Sequence, residues 1–328
     1  MSLNMPGEKP KVYITRRIPK PGIDILKDHC NLSFWDSDEA IPKEDLLKNV
    51  TGIDALLCML TDPIDKEVLD AAGASLKVVS TMSVGYEHIN TEECKKRNIF
   101  VCNTPNVSTD SVAELTVALL LLTCRRLLEG VNAVKNGEWG KWKPMWLCGT
   151  ELSQRTLGIL GLGRIGYGVA RRLKPFGIKR FLYNDVCSVG YADDLDAKFV
   201  DFDTLLTESD LICICCNLTP QTKHIFNKDA FKKMKNSAIL INTGRGGVIQ
   251  HDDLYEALTS GQITAAGLDV TEPEPLPMDH PLVGLHNCVI LPHMGSNTWD
   301  SRNKMAETAA GNILAVFRNE TAIGQVNI

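Results

Sequence analysis

Side chains that can do chemistry cluster around three strand-like segments in the carboxyl-terminal half of the chain. SAILINT is followed by Arg245, AAGLDV contains Asp269 and precedes Glu272 and Glu274, and CVILP is followed by His293. In an open parallel sheet, ligands bind beyond the carboxyl ends of the strands, so we expect these side chains at one edge. A guanidinium binds a carboxylate through two parallel hydrogen bonds. A histidine exchanges protons near neutral pH, and a neighbouring glutamate orients it and raises its pKa.

Beside a nicotinamide, these groups predict the reduction of a 2-oxo acid. Hydride would go to the carbonyl carbon, and His293 would donate a proton to the carbonyl oxygen. Each residue also has an interpretation without chemistry. His293, like any other histidine of the chain, could be a surface or capping residue, and Arg245 could be a turn residue with a solvated side chain. The convergence of three strand ends favours the catalytic interpretation.

A glycine-rich loop, GLGRIG, lies between the strand-like TLGIL and a helical pattern. In this context the first glycine makes a tight turn, the second lets backbone N–H groups approach a pyrophosphate, and the third lets helix and strand pack closely. The helix N-terminus then faces the anion. The sequence therefore predicts a dinucleotide site, with contacts from Gly161, Gly163, Arg164, Ile165 and Gly166.

The next strand-like segment, RFLYND, ends in Asn184 and Asp185. A carboxylate at this point hydrogen-bonds the adenosine ribose and repels a 2′-phosphate, which favours NADH. Asn184 could equally accept a phosphate with help from Arg164 or Arg180, which would favour NADPH. Both residues are predicted cofactor contacts, and the choice between NADPH and NADH stays open.

The elements that must position these residues form two series of short β-rich segments separated by helical patterns. The first fills roughly the first hundred residues, and the second runs from TLGILG to CVILPH. This alternation predicts an α/β protein with two doubly wound parallel-sheet domains. A helical pattern over 111–135, with Thr109 or Asp110 as its cap, predicts one long helix between them.

The helical pattern after His293 has no further strand to follow, so we expect it to return to the first domain and complete it. This makes the first domain discontinuous, with predicted boundaries at 1–107 and 296–328, and the second an insertion over 108–295. Two chain crossings would make a hinge, with a cleft where a small ligand is enclosed.

Composition narrows the class of partner. The chain has 328 residues and a formal net charge of -5, without a basic face, so no nucleic-acid partner is predicted. Its start lacks the apolar segment of a secretory signal, and no run reaches the roughly 18 apolar residues of a membrane span.

The chain contains eleven cysteines scattered through apolar segments, which is typical of reduced thiols rather than of disulfides. Cys213 and Cys216 have a CxxC spacing, and we interpret them as buried strand residues. These features predict a soluble cytoplasmic protein, with no membrane partner and no metal site.

Many stretches in order along nearly the whole chain resemble the D-isomer-specific 2-hydroxyacid dehydrogenases, and most closely their members that reduce glyoxylate and hydroxypyruvate. The resemblance implies a Rossmann cofactor domain inserted in a flavodoxin-like substrate domain. It also implies reduction of glyoxylate to glycolate and of hydroxypyruvate to D-glycerate with NAD(P)H. The matching stretches are VYITRRIP, WDSDE, LKVVSTMSVGYEHI, GILGLGRIG, RRLKPFG, LTPQTKHIFNK, INTGRGGVI, AAGLDVTEPEPLP and NCVILPHMGS.

The resemblance also implies roles for single residues. Arg245 matches the arginine that binds and polarises the oxo acid, His293 the catalytic histidine and Glu274 its acid partner, whereas Glu272 has no match. The backbone N–H groups of Ser83, Val84 and Gly85 match those that hold the substrate carboxylate. The cofactor contacts implied outside the glycine loop are Thr243, Asp269, which faces the nicotinamide amide, and Gly295.

Two further implications concern the cofactor phosphate and the partner. NADPH-preferring relatives usually carry an arginine after the second strand of the cofactor domain, where this chain has Val186, Cys187 and Ser188. The resemblance implies a homodimer formed through the cofactor domain near GEWGKWKPMW. Its tryptophans, Trp139, Trp142 and Trp146, either pack within that loop or reach the partner's site.

Two alternatives remain at this point. A different D-2-hydroxyacid dehydrogenase, such as a D-lactate type, would have the same catalytic residues. C-terminal binding proteins use the same fold and residues to sense NAD(H) while binding transcriptional partners. Turnover of hydroxypyruvate separates an enzyme from such a sensor.

Overall fold

The computed structural model describes residues 8–328, which divide into two compact units. The first comprises residues up to Ser108 together with Asn297–Ile328, and the second comprises Thr109–Ser296. Each is an α/β unit built on one sheet whose paired strands are all parallel. Over 8–328, no helix has the length and apolar character needed to cross a membrane.

The first unit contains a five-stranded sheet in the order β2-β1-β3-β4-β5. This is the strand order of flavodoxin-like folds. Its strands are β1 (Lys11–Ile14), β2 (Asn31–Phe34), β3 (Ala55–Cys58), β4 (Val78–Thr81) and β5 (Phe100–Cys102). Its helices are α1 (Lys20–Lys27), α2 (Lys43–Asn49), α3 (Lys66–Ala72), α4 (Thr91–Lys96) and α11 (Trp299–Phe317).

The last helix, α11, belongs to the first unit. A Cβ on Gly22 of α1 would lie 2.9 Å from the Ala306 Cβ, so the missing side chain allows the two helices to pack closely. Asn312, buried in α11, donates from Nδ2 to the Asn103 carbonyl at 2.8 Å and accepts from the Gly324 N–H at 3.0 Å. These contacts join the carboxyl-terminal segment to the rest of the first unit.

The second unit contains a seven-stranded sheet in the order β12-β11-β10-β9-β6-β7-β8. Its strands are β6 (Thr156–Leu160), β7 (Arg180–Asn184), β8 (Ala197–Phe199), β9 (Leu211–Ile214), β10 (Ile239–Asn242), β11 (Ala265–Leu268) and β12 (Cys288–Ile290). Its helices are α5 (Thr109–Cys124), α6 (Leu127–Lys135), α7 (Arg164–Leu173), α8 (Phe202–Glu208), α9 (Lys228–Lys233) and α10 (His251–Thr259). The strand order reverses between β6 and β9, which is where doubly wound folds bind ligands.

The prediction of a single helix over 111–135 is wrong, because this segment forms two helices, α5 and α6. The chain breaks between α5 and α6, where Arg126 adopts a left-handed φ of 53°. The carbonyl of Cys124, at the end of α5, accepts from the N–H of Thr150 at 2.8 Å. Gly149 approaches so closely that a Cβ there would lie 2.2 Å from the same carbonyl oxygen. A returning segment therefore takes the hydrogen bond that a continuous helix would need.

Candidate active site

Arg245 lies in a turn that a buried asparagine organises. Asn242, the last residue of β10, donates from Nδ2 to the Arg245 carbonyl at 2.9 Å and accepts from the Gly244 N–H at 3.0 Å. The Arg245 guanidinium donates from Nη1 to the Gly244 carbonyl at 2.9 Å and is half-buried. Gly246 packs directly on the backbone of Thr271, because a Cβ at this glycine would lie 2.0 Å from that carbonyl.

His293 lies in a turn that Asp269 holds through three hydrogen bonds. The His293 N–H donates to the Asp269 carbonyl at 2.9 Å. The N–H groups of Met294 and Gly295 donate to Oδ1 and Oδ2 of Asp269 at 2.6 and 2.8 Å. Burial raises the pKa of the Asp269 carboxyl, and these two N–H donors partly offset that effect. The bonds stabilise the left-handed φ of 52° at His293, a conformation that non-glycine residues rarely adopt.

Glu274 and His293 form the hydrogen-bonded pair that proton transfer needs. Nδ1 of His293 lies 2.5 Å from Oε1 of Glu274, with side chains 25% and 36% exposed. With Nδ1 bonded to the carboxylate, Nε2 is the ring nitrogen that can present a proton to a ligand. Arg245 follows β10 and His293 follows β12, the two neighbours of β11 in the sheet. The structure thus places Arg245 and His293 just beyond the carboxyl ends of β10 and β12, and Glu274 on the loop after β11, the strand between them.

The glycine loop fits a dinucleotide, and its three glycines meet different demands. Gly161 has a φ of 89°, and a Cβ there would lie 2.7 Å from the backbone nitrogen of Cys216. A Cβ on Gly166 would lie 2.2 Å from the Gly161 carbonyl oxygen. Gly163, the N-cap of α7, has an ordinary φ of -76°, and a Cβ on it would meet no atom of residues 8–328 within 4 Å. An open helix N-terminus beside such a glycine is suited to a phosphate group.

The residues at the carboxyl ends of β7 and β9 include two predicted cofactor contacts, Asn184 and Asp185. Asn184 donates from Nδ2 to the Val200 carbonyl at 2.8 Å, and Asp185 accepts the N–H of Val186 at 2.8 Å. β9 ends at Ile214, so Cys216 lies beyond the strand and beside the glycine loop. The prediction that it lies within the strand is therefore wrong. Burial raises the pKa of Cys216 to about 12, so it is a neutral thiol rather than a nucleophile.

The remaining predicted residues of the second unit lie next to α5, beside Asp269 or at the surface. Thr243 is buried, and its hydroxyl lies 2.8 Å from that of Thr116 in α5. Gly295 is buried beside Asp269. The rings of Trp139 and Trp142 are 70% and 83% exposed, so the interpretation that they pack within their own loop is wrong.

Ser83, Val84 and Gly85 form a short segment of the first unit. The backbone carbonyl group of each of these residues accepts a hydrogen bond. The Ser83 carbonyl accepts from the Thr104 N–H at 2.8 Å, and the Val84 carbonyl accepts from Asn103 Nδ2 at 2.7 Å. The Gly85 carbonyl accepts from the Ser83 hydroxyl at 2.6 Å. These hydrogen bonds to the carbonyl groups fix the conformation of the loop. Its N–H groups remain the predicted contacts of a substrate carboxylate.

Comparison with known proteins identifies the class. The model of the "D-isomer specific 2-hydroxyacid dehydrogenase, NAD binding domain" family matches residues 117–295. The chain belongs to this family of NAD-binding oxidoreductases. It is 55% identical over 313 residues to a glyoxylate reductase/hydroxypyruvate reductase from Homo sapiens, covering 94% of this chain and 95% of the relative. It is 46% identical over 323 residues to a glyoxylate reductase from Thermofilum pendens, covering 97% and 95% of the two chains.

Solved structures share the fold over nearly the whole chain. A glyoxylate reductase from Paecilomyes thermophila superposes with a TM-score of 0.87 at 27% identity, covering 98% of this chain and 99% of that one. A D-lactate dehydrogenase from Aquifex aeolicus, solved with NAD and lactic acid, superposes with a TM-score of 0.82 at 29% identity, covering 94% and 96%. These similarities confirm the predicted fold class.

Two glycine substitutions should separate ligand contact from packing in the loop. Gly163→Ala meets open space, so we expect unchanged thermal stability but weaker NAD(P)H binding, because a methyl group keeps the pyrophosphate from the backbone. Gly166→Ala should destabilise the protein by about 3 kcal/mol, because its Cβ overlaps a backbone oxygen. Urea unfolding and fluorescence titration with NADH and NADPH measure both. Undiminished cofactor affinity in Gly163→Ala would contradict the assignment of the loop.

Proposed function

We propose that this chain reduces glyoxylate to glycolate and hydroxypyruvate to D-glycerate with NAD(P)H. The observation that carries the proposal is the 2.5 Å pair of His293 and Glu274, set at the sheet edge that also presents Arg245 and the open glycine loop. The names of the relatives that match over nearly the full chain support the choice of substrates.

Each group has one task in the proposed reaction. The Arg245 guanidinium binds the oxo acid and polarises its carbonyl. The cofactor, when bound at Gly161–Gly166, supplies the hydride that reduces the carbonyl carbon. His293 donates its Nε2 proton to the carbonyl oxygen, and Glu274 orients the ring and stabilises its charged form. The carboxylate of the substrate is left unchanged, and the ring regains its proton from solvent.

We assign the predicted domain 108–295 to cofactor binding and the domain of 1–107 and 296–328 to substrate binding. Asp269 and Thr243 are proposed to line the nicotinamide side of the cofactor site. Ser83, Val84 and Gly85 are proposed to bind the substrate carboxylate through their N–H groups. Support for that last role comes from the hydrogen bonds that engage all three carbonyls of the segment.

Replacing His293 tests the proton donor. We expect the unmodified protein to oxidise NAD(P)H when hydroxypyruvate or glyoxylate is added, and His293→Gln to lower kcat on the order of 100-fold or more. Cofactor affinity should stay unchanged, because the imidazole acts on the substrate. Absorbance of the reduced cofactor measures turnover, and the KM values for NADH and NADPH decide the phosphate preference. An unmodified protein inactive with both cofactors would favour the NAD(H)-sensing alternative, and greater activity on pyruvate would favour the D-lactate type.

Replacing Arg245 by lysine tests the bidentate contact. Arg245→Lys keeps the positive charge but loses the planar fork, so we expect KM for hydroxypyruvate to rise roughly tenfold or more while the Kd for the cofactor is retained. Steady-state kinetics with hydroxypyruvate provide the measurement. A KM equal to that of the unmodified enzyme would rule out the two-pronged contact.

We also propose that the protein is a homodimer formed through an apolar face on α6 and the loop after it. Leu127, Leu128, Val131 and Val134 recur at helical spacing and are 44–56% exposed. Trp139, Trp142 and Met145, in the loop after α6, are exposed as well. Large apolar side chains exposed together in one part of the chain are typical of an interface in oligomers. We retain the proposal that one tryptophan of Trp139, Trp142 and Trp146 reaches the partner's site.

A charge placed on this face should separate the subunits. We expect Val131→Asp with Val134→Asp to convert a dimer into a monomer, because two carboxylates cannot be buried without partners. Light scattering after size-exclusion chromatography gives the mass. Ile323→Asp, at an apolar side chain of the first unit that is 85% exposed, is the matched control and should remain dimeric. A monomeric unmodified protein would refute the proposal.

A cytoplasmic location is proposed as well, without a nucleic-acid or membrane partner. All eleven cysteines, each within the described part of the chain, are free thiols. Reduced thiols are typical of the cytosol.

A further inference from the structure

A second histidine–glutamate pair lies two residues from Glu274 along the chain. His224 Nε2 and Glu272 Oε2 are 2.8 Å apart, although the residues are 48 positions apart in the sequence. The two side chains are 36% and 44% exposed. Glu272 matches no catalytic position of the resembled family, and His224 takes no part in the proposed reaction, so this pair has no role in the proposed mechanism.

The backbone of His224 is attached to the segment that follows Arg245. Its N–H donates to the Gly247 carbonyl at 2.8 Å, and its own carbonyl accepts from Asn227 Nδ2 at 3.2 Å. The residue has a left-handed φ of 51°, which these contacts hold in place. His224 is thus a fixed point beside the arginine turn.

The Glu272 carboxylate lies over the same turn. A Cβ on Gly247 would lie 3.2 Å from both of its oxygens, and the preceding Thr271 packs on Gly246. The hydroxyl of Thr271 donates to the Pro273 carbonyl at 2.8 Å, which shapes the next step of the loop. One residue later, Glu274 reaches His293. The loop therefore contacts His224 through Glu272 and contacts His293 through Glu274, its proposed catalytic carboxylate.

Two other histidines lie near this pair without replacing it. His251 is buried at the start of α10, its ring centroid is 6.1 Å from that of His280, and its Nε2 has no hydrogen-bond partner among the described residues. Burial and the neighbouring His280 lower the pKa of His251, which keeps this ring neutral. His280 uses Nδ1 to accept the N–H of Leu282. His224 is thus the histidine that hydrogen-bonds the Glu272 carboxylate.

We propose that His224 and Glu272 form a positioning clamp that ties the loop carrying Glu274 to the turn carrying Arg245. Neither residue touches the reacting atoms. The clamp acts through Glu274, because a carboxylate on a loop needs a second attachment to stay within hydrogen-bond distance of His293. The expected effect of the clamp on kcat rests on the proposed reductase function. Its expected effect on the mobility of the loop rests on the loop geometry alone.

Four variants of the full-length protein test the clamp. Glu272→Ala and His224→Ala should each lower kcat roughly tenfold with little change in the Kd for the cofactor, since a small displacement of a catalytic group slows the reaction. The double alanine variant should be no slower than either single variant, because both remove the same interaction. Glu272→Gln keeps a hydrogen-bond acceptor at the same reach and should retain most of the activity.

The split between kcat and KM supplies a readout that general loss of structure would not give. The clamp variants should lower kcat with little change in the KM for hydroxypyruvate, because Arg245, which is proposed to bind the oxo acid, is retained. The matched control is Glu256→Ala, which removes an exposed 2.6 Å pair with Lys228 and should change neither kcat nor KM.

Hydrogen–deuterium exchange of the peptide covering 270–276 tests the clamp without any turnover. We expect faster exchange in both alanine variants and no change in Glu256→Ala. An unmodified protein that turns over no 2-oxo acid would overturn the proposed function but leave this measurement valid. Unchanged exchange in the alanine variants would overturn the clamp, and faster exchange with an unchanged kcat would overturn its positioning role.

Discussion

One residue, Asp269, connects the two turns on which the site depends. Its N–H bonds to the carbonyl of Asn242, the residue that shapes the Arg245 turn, and its carbonyl accepts from His293. Its carboxylate accepts from the two N–H groups that follow His293. Burying a carboxylate costs free energy unless its oxygens accept hydrogen bonds. The Asp269 carboxylate therefore favours the conformation of the His293 turn, which supplies those hydrogen bonds. The guanidinium and the imidazole are thereby held on one rigid frame, β10 to β12.

The three proposed catalytic groups are not held equally. Arg245 and His293 follow strands of a buried parallel sheet, where main-chain pairing leaves little freedom. Glu274 lies on the loop after β11, and its position relative to His293 depends on what else that loop contacts. The contacts of Thr271 with Gly246 and of Glu272 with His224 supply that support. Preorganisation of the acid–base pair is therefore shared between the sheet and the side chains around the loop.

The cofactor end of the second unit follows a different constraint, the close approach of backbone to backbone. Gly161 and Gly166 are required by the protein itself, since a side chain at either would overlap main-chain atoms. Gly163 meets no such neighbour within residues 8–328, so its lack of a side chain is explained by a ligand rather than by packing. Two glycines of this loop are therefore required by packing, and the third is explained by cofactor binding.

Much of this architecture could be predicted from the chain alone. The alternation of β-rich and helical segments identified two doubly wound units, because strand and helix periodicities are local properties. The rule that parallel strands present their carboxyl ends to one edge then placed Arg245 and His293 near each other, and resemblance to a known family singled out Glu274 over Glu272.

What the sequence determined by itself was which residues follow which strands. The tertiary structure alone decided where the helix after Thr109 breaks, because the Thr150 N–H takes the carbonyl of Cys124 from a distant part of the chain. It alone also paired His224 with Glu272 across 48 positions and placed Cys216 against the glycine loop. Contacts of this kind leave no periodic signal, because they depend on how separate turns meet in space and not on the spacing of residues within any one of them.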